Sequence, residues 1–302
     1  MTKPKRIKRP ISGWLIFDKP YDLASTEAVG KLRWLYSAAK AGHAGTLDPL
    51  ATGILPIAFG QATKTVPMVQ DGTKTYHFTV RWGVATTTDD IEGAVIATSP
   101  VRPDAEGITA VLPRFTGTIV QTPPPFSAIR VDGQRAYDLA RAGETFVLAP
   151  REVTIDSLRL VDHRGEDSRF EAICQKGTYV RALARDIAEM LGTRGHVTAL
   201  RRTAVGPFHE GNAVSLETIE GLDEAGRDAL LRPIAEALGA LPEIRLSPEQ
   251  MTAVGHGNPV LLTGARAPVN LGEAWASFRG EACALGRVEA GHFHPSRLLT
   301  GS

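Results

Sequence analysis

One histidine and one carboxylate stand in a stretch otherwise free of charge, Gly42-His43-Ala44-Gly45-Thr46-Leu47-Asp48-Pro49-Leu50-Ala51-Thr52-Gly53. Its three glycines permit backbone angles that side chains forbid, and Pro49 fixes the chain just after Asp48. An acid presented on a small, stiff, apolar loop is acceptor-only when ionised, and it can act as a nucleophile or in proton transfer. The same residue types also suit a structural turn whose Asp caps the segment that follows. Residue types alone leave both readings open.

Other chemistries lack their residues. No glycine-rich run ends in Gly-Lys-Ser/Thr, no Gly-x-Gly-x-x-Gly follows a strand pattern, and His-Glu-x-x-His does not occur. His292 and His294 with Cys283 have the donor types for a metal, but lone histidine pairs are usually surface residues. The sequence points to chemistry without cofactor or metal, or to no chemistry.

The elements that would hold such a loop are legible in part. Residues 13–20 read as a buried strand ending in a turn, and Ser25-Thr26-Glu27 starts a helix with Val29, Leu32, Leu35 and Tyr36 at helical spacing. Residues 74–84 form the clearest strand pattern, with Tyr76, Phe78, Val80 and Trp82 on one face, so that periodicity places Tyr76 in a core. A polar connection with Asp89, Asp90 and Glu92 follows over 86–93, and then a second strand over 115–120. Residues 121–150 form an excursion that opens on Pro123-Pro124-Pro125 and interleaves Arg130, Arg135 and Arg141 with Tyr137. It is either a surface insertion or an arm that grips a ligand. Strands are expected over 153–160 and 170–175. A helix after Gly177-Thr178-Tyr179 carries Arg181 and Arg185 on its exposed side. Helical patterns cover 216–222 and 229–238, Leu241-Pro242 marks a boundary, and short strands beyond it suggest a small β-rich module.

The chain has 302 residues, 43% of them hydrophobic, enough for one large domain and a small one. A net charge of +1 conceals local imbalance: residues 1–20 carry +5, residues 176–202 carry +4 and residues 207–250 carry −6. That distribution is compatible with one cationic face, or with ordinary solvated surfaces. Two distant cysteines, Cys174 and Cys283, fit a reducing compartment. There is no signal-like apolar core and no membrane-length run, so a soluble cytoplasmic protein is expected.

Residues 42–55 followed by Gly60-Gln61-Ala62-Thr63-Lys64 resemble the signature motif of the TruB family of pseudouridine synthases. Further segments match that family in the same order: Phe17-Asp18-Lys19-Pro20, Lys74-Thr75-Tyr76, residues 124–128 through 133–137, residues 177–186, and Leu200-Arg201-Arg202-Thr203 through Gly206-Pro207-Phe208. The resemblance spans nearly the whole chain and is weakest after residue 240. Two departures are mild: Ala44 where the family often has Thr, and Arg130 where Lys is usual.

The resemblance implies an α+β fold, with a catalytic domain around a mixed β-sheet over residues 11–240. It also implies a C-terminal PUA-like RNA-binding module over 241–302, while residues 1–10 read by their composition as a basic flexible tail. It implies isomerisation of uridine 55 in the T loop of tRNA to pseudouridine, without cofactor or metal. No protein partner is evident in the sequence, and a monomer is expected. Asp48 is then the catalytic carboxylate. His43 takes the space left by an extruded base, Tyr76 stacks on that base, Arg181 is the counter-charge of Asp48, and Tyr179 contacts the base. Leu200 walls the pocket, and Lys19 lines its floor with Pro20. The excursion would be mobile without RNA and ordered with it. Two other readings differ in class. One is a tRNA-folding chaperone in which catalysis is secondary. The other is a glycoside-cleaving enzyme, which would normally need a second carboxylate opposite Asp48.

Overall fold

A computed structural model describes residues 7–127, 129–131 and 133–299. Lys3, Lys5 and Arg6 of the expected basic tail, and Ala128 of the excursion, lie outside the described residues. The described residues form two compact units, one of residues 7–49, 53–71 and 205–299, the other of residues 50–52 and 72–204.

The first unit begins with β1 (Gly13–Lys19), in which Trp14, Leu15, Ile16 and Phe17 are fully buried. Helix α1 (Ser25–Leu35) starts where the Ser-Thr-Glu signal places it and buries Ala28, Leu32 and Leu35 at helical spacing. Strands β2 (Ala41–His43) and β3 (Thr52–Phe59) are antiparallel, with His43 opposite Ile57. β3 also runs antiparallel to β1, from Gly13 opposite Phe59 to Lys19 opposite Gly53. The loop that holds Asp48 is thus the connection between two strands that pair with each other. Helix α2 (Val66–Asp71) closes this segment.

The second unit contains β4 (Lys74–Trp82), the hairpin β5 (Val84–Thr86) and β6 (Val95–Thr98), α3 (Ala105–Val111) and β7 (Gly117–Gln121). The excursion is a two-residue-strand hairpin, β8 (Arg130–Val131) with β9 (Gln134–Arg135), followed by α4 (Ala136–Arg141). Strands β10 (Arg151–Arg164) and β11 (Asp167–Cys174), helix α5 (Val180–Met190) and strand β12 (Gly195–Val205) complete it. The strand order is β12-β4-β11-β10-β7. Phe78, Val80, Trp82 and Phe170 on one face pack against Leu183, Ala184 and Ile187 of α5, which is why both the two-residue and the helical periodicities are clear here.

Back in the first unit, β13 (Phe208–His209) precedes β14 (Val214–Ser215), which pairs parallel with β1, so parallel and antiparallel pairings coexist. Helices α6 (Leu216–Gly221) and α7 (Glu224–Ala229) follow. The helix expected over 229–238 does not form. Pro233 interrupts it, and only a short 3-10 turn covers Ile234–Leu238. The C-terminal part comprises β15 (Glu243–Arg245), α8 (Pro248–Gly255), β16 (Val260–Leu261), β17 (Leu271–Phe278), β18 (Glu281–Glu289) and β19 (His292–Leu298). Its five-stranded sheet has the order β15-β17-β18-β19-β16, the β-rich module that the sequence suggests.

The expectation of a flexible tail to residue 10 is corrected at Arg9. Its backbone bonds to Ser37 and Ala39, and its guanidinium pairs with Asp228 and, at 3.5 Å, with Glu224. The acidic segment, not solvent, receives this part of the basic tail.

Candidate active site

Asp48 is half-buried, and the residues on both sides of it are pinned. Leu47 N–H donates to Ser25 Oγ at 2.8 Å, and the same hydroxyl donates back to Leu47 O at 2.7 Å, both in buried surroundings. Ser25 therefore does not cap α1. Pro49 O accepts from Lys19 Nζ at 2.9 Å and from Asp22 N–H at 3.0 Å. Gly45 and Gly53, with φ of 98° and 99°, take angles closed to other residues where the loop bends away from the strands. A carboxylate whose two neighbours are hydrogen-bonded is held in place by the loop that carries it. Such an acid suits nucleophilic or proton-transfer chemistry.

Lys19 is fully buried, and its ammonium also donates to Pro20 O at 2.9 Å and Leu23 O at 2.8 Å. A cation spread over three carbonyls at the end of β1 orders the loop. His43 is half-buried at the end of β2.

The remaining expected site residues lie in the second unit. Tyr76 near the start of β4 and Leu200 on β12 are half-buried and pack on the same core as Phe78 and Val180. Tyr179 immediately precedes α5. Its N–H donates to Gln121 Oε1 at 2.8 Å, Gln121 Nε2 donates to its carbonyl at 3.1 Å, and the Arg151 guanidinium lies 5.4 Å from its ring centre.

Arg181 and Arg185 are not on an exposed helix face. Arg181 is only 5% exposed, donates to Thr88 O at 2.9 Å and Phe126 O at 2.8 Å, and lies 3.6 Å from the Asp90 carboxylate. Arg185 donates to Asp89 at 3.0 Å, to Thr122 O at 2.8 Å and to Asp186 at 2.9 Å. The polar connection of the sequence thus supplies buried partners for two arginines. Burial pushes the Asp89 carboxyl up to about 6, against the opposing pull of Arg185 and Arg181. Sequence reasoning missed Ser25, Gln121, Asp89 and Asp90, each more than 20 residues from its partner. The only signal was two adjacent acids in an otherwise polar turn. Among the described residues, no group of three or more His, Cys, Asp or Glu is placed to hold a metal. Cys283 is buried and donates to Ala276 O.

The chain matches two family models: "TruB family pseudouridylate synthase (N terminal domain)" over residues 33–180, and "tRNA pseudouridylate synthase B C-terminal domain" over residues 181–239. It is 54% identical over 309 residues to the tRNA pseudouridine synthase B of Rhizobium johnstonii, covering 99% of this chain and all of that one. It is 52% identical over 314 residues to that of Agrobacterium fabrum, at 99% and 100% coverage. Among solved structures it is similar in fold to a chain of a Cbf5-Nop10-Gar1 complex (TM-score 0.74, 23% identity, 95% of this chain and 85% of that one). Identity over the full length at this level, with the matching models, leaves one assignment: the chain belongs to the TruB family of pseudouridine synthases.

Proposed function

We propose that the protein isomerises uridine 55 in the T loop of tRNA to pseudouridine, as a cytoplasmic monomer, with Asp48 as the catalytic carboxylate. The observation that carries the reading is the loop itself: a half-buried acid fastened on both sides by Ser25, Asp22 and Lys19. The bond from ribose C1′ to base N1 breaks, the freed base turns, and C1′ bonds to C5. The C5 proton leaves and N1 gains one, so composition is unchanged. The target base is stacked in a folded loop and must be extruded, at a cost of a few kcal/mol. His43 filling the vacated space, Tyr76 stacking on the base and Tyr179 contacting it are the roles that family membership supports. Leu200 as the pocket wall and Arg181 as the counter-charge of Asp48 are supported in the same way. The excursion and residues 241–302, a PUA-like module, grip the RNA.

The test uses a T-arm RNA tritiated at uridine C5, with tritium release as the readout and filter binding for affinity. Asp48→Asn abolishes release and leaves affinity within about threefold. Full release in that variant overturns the catalytic role. Arg181→Met slows turnover far more than it weakens binding; equal losses in both overturn its assignment. A protein acting only as an RNA chaperone would release no tritium at all.

A further inference from the structure

Two arginines one turn apart on α5 fasten the same two segments. Arg181 reaches Thr88 O and Phe126 O, and Arg185 reaches the Asp89 carboxylate and Thr122 O. Each side chain thus ties the helix both to the turn after β5 and to the stretch that leads from β7 into the excursion. The turn is held in an unusual state. Asp89 has φ of 59°, a conformation that non-glycine residues seldom adopt, and it is 7% exposed. Val197 N–H of β12 donates to its carbonyl at 3.0 Å.

We propose that Asp89 and Arg185 are positioning residues for the reaction. Their ion pair locks the 86–90 turn and the 122–126 stretch onto α5, and with them the direction in which the Arg181 guanidinium points. Arg181 donates to one acceptor in each of these two segments, and Thr88 immediately precedes Asp89. Removing the Asp89–Arg185 pair frees the Thr88 and Phe126 carbonyls to shift, and with them the guanidinium they hold. Misplacement of a site group by about 1 Å is enough to cost roughly 100-fold in rate. The inference rests on the reading that Arg181 serves the reaction.

The pair has a pH signature of its own. The charged groups around the Asp89 carboxylate are Arg181, Arg185 and Asp186 of α5, with Asp90 beside it in the turn. β12 meets the turn through the Val197 backbone, while the His196 ring bonds to Val84 O at 2.9 Å. With Asp89 raised to about 6, the pair is charged above that pH and lost below it, so turnover falls as pH drops through 6. Stability moves the other way. A carboxyl whose folded pKa lies above its unfolded value contributes stability that is present at low pH and declines as pH rises through 6. Loss of turnover in acid without loss of thermal stability therefore separates positioning from unfolding.

The experiment measures kcat at saturating T-arm RNA, RNA affinity and melting temperature from pH 5 to 8 for the full chain, for Asp89→Asn, for Arg185→Gln and for the double variant. In the wild type, kcat has an acid limb with a midpoint near 6 and no matching loss of melting temperature. In Asp89→Asn the limb is absent and kcat is about tenfold lower at pH 7.5 with affinity within about twofold. The double variant is no slower than the worse single variant, because one interaction is lost in all three. An unchanged limb in Asp89→Asn, additive losses in the double variant, or kcat and affinity falling together overturns the proposal. If Asp89→Asn does not fold, the wild-type profile and Arg185→Gln decide alone: a wild type without the limb, or full turnover in Arg185→Gln, refutes it. Asp48→Asn is assayed in parallel. Retained activity there defeats the functional reading, whereas an inactive Asp48→Asn beside a normal Asp89→Asn defeats only this inference.

Discussion

The position of Asp48 depends on Lys19 and Ser25, which hold the residues on either side of it. Lys19 is buried and saturates the carbonyls of Pro20, Leu23 and Pro49, while Ser25 exchanges two hydrogen bonds with Leu47. Replacing Lys19 by Met keeps the apolar stem and takes the ammonium from three carbonyls, of which Pro49 O keeps the bond from Asp22 N–H. A buried unsatisfied polar group costs about 1–3 kcal/mol, part of which is recovered by no longer burying a charge. Lys19→Met is expected to lower stability by about 2–4 kcal/mol in urea titrations and to lower kcat at least tenfold, with RNA affinity retained. Loss of affinity with unchanged kcat would make Lys19 a substrate contact and not a residue that positions the loop. The two arginines of α5 teach the complementary lesson: side chains expected at a solvated face are buried (Arg181) or half-buried (Arg185) because acceptors come to them from other segments.

At the level of elements, the excursion is the part least able to stand alone. A six-residue helix does not persist in water without tertiary support. Here α4 is held by Ala136 N–H to Ile129 O, by Tyr137 N–H to Ser127 O, and by the Tyr137 ring. That ring packs edge-on to Phe126 at 6.2 Å and accepts the Arg141 guanidinium at 4.4 Å. Tyr137→Ala is therefore expected to loosen the arm alone. RNA affinity falls about tenfold in filter binding, consistent with loss of stacking and cation–π contacts worth roughly 1–2 kcal/mol, while the melting temperature stays within 2 °C or so. Unchanged affinity would make the excursion a surface insertion, the other reading its residues allow.

Over the whole chain, the C-terminal sheet shares a core with the segments before it. Leu238 is fully buried in a cluster with Trp275, Leu285 and Leu299, and Met68 and Ile234 pack against it. Trp275 Nε1 donates to Leu241 O, Lys64 Nζ to Leu298 O, and Arg297 to Lys64 O. Ending the chain after residue 240 uncovers several apolar side chains, each worth about 1.5–3 kcal/mol when buried. The truncated protein is expected to melt at least 10 °C or so lower in calorimetry, a few degrees for each kcal/mol lost. A melting temperature equal to that of the full chain would make residues 241–302 a tethered module with no share in the core. No helix among the described residues is long and apolar enough to cross a membrane.

The sequence by itself determined what depends on neighbours along the chain: the buried run of β1, the alternation of β4, the amphipathic pattern of α5, the stiff glycine loop around Asp48, and the ordered motifs of the family. These are set by local backbone preference and by periodicity, which any short window displays. Only the tertiary structure decided the partners. Ser25 meets Leu47 across 22 positions, Lys19 meets Pro49 across 30, Arg181 meets Thr88 across 93 and Arg185 meets Asp89 across 96. No local pattern records such pairs, because a buried charge and a solvated one look alike until the fold brings, or fails to bring, the opposite charge to it. For the same reason a bare Asp between glycines is ambiguous in sequence, and becomes a held carboxylate only when β1 and α1 supply the groups that fix its neighbours.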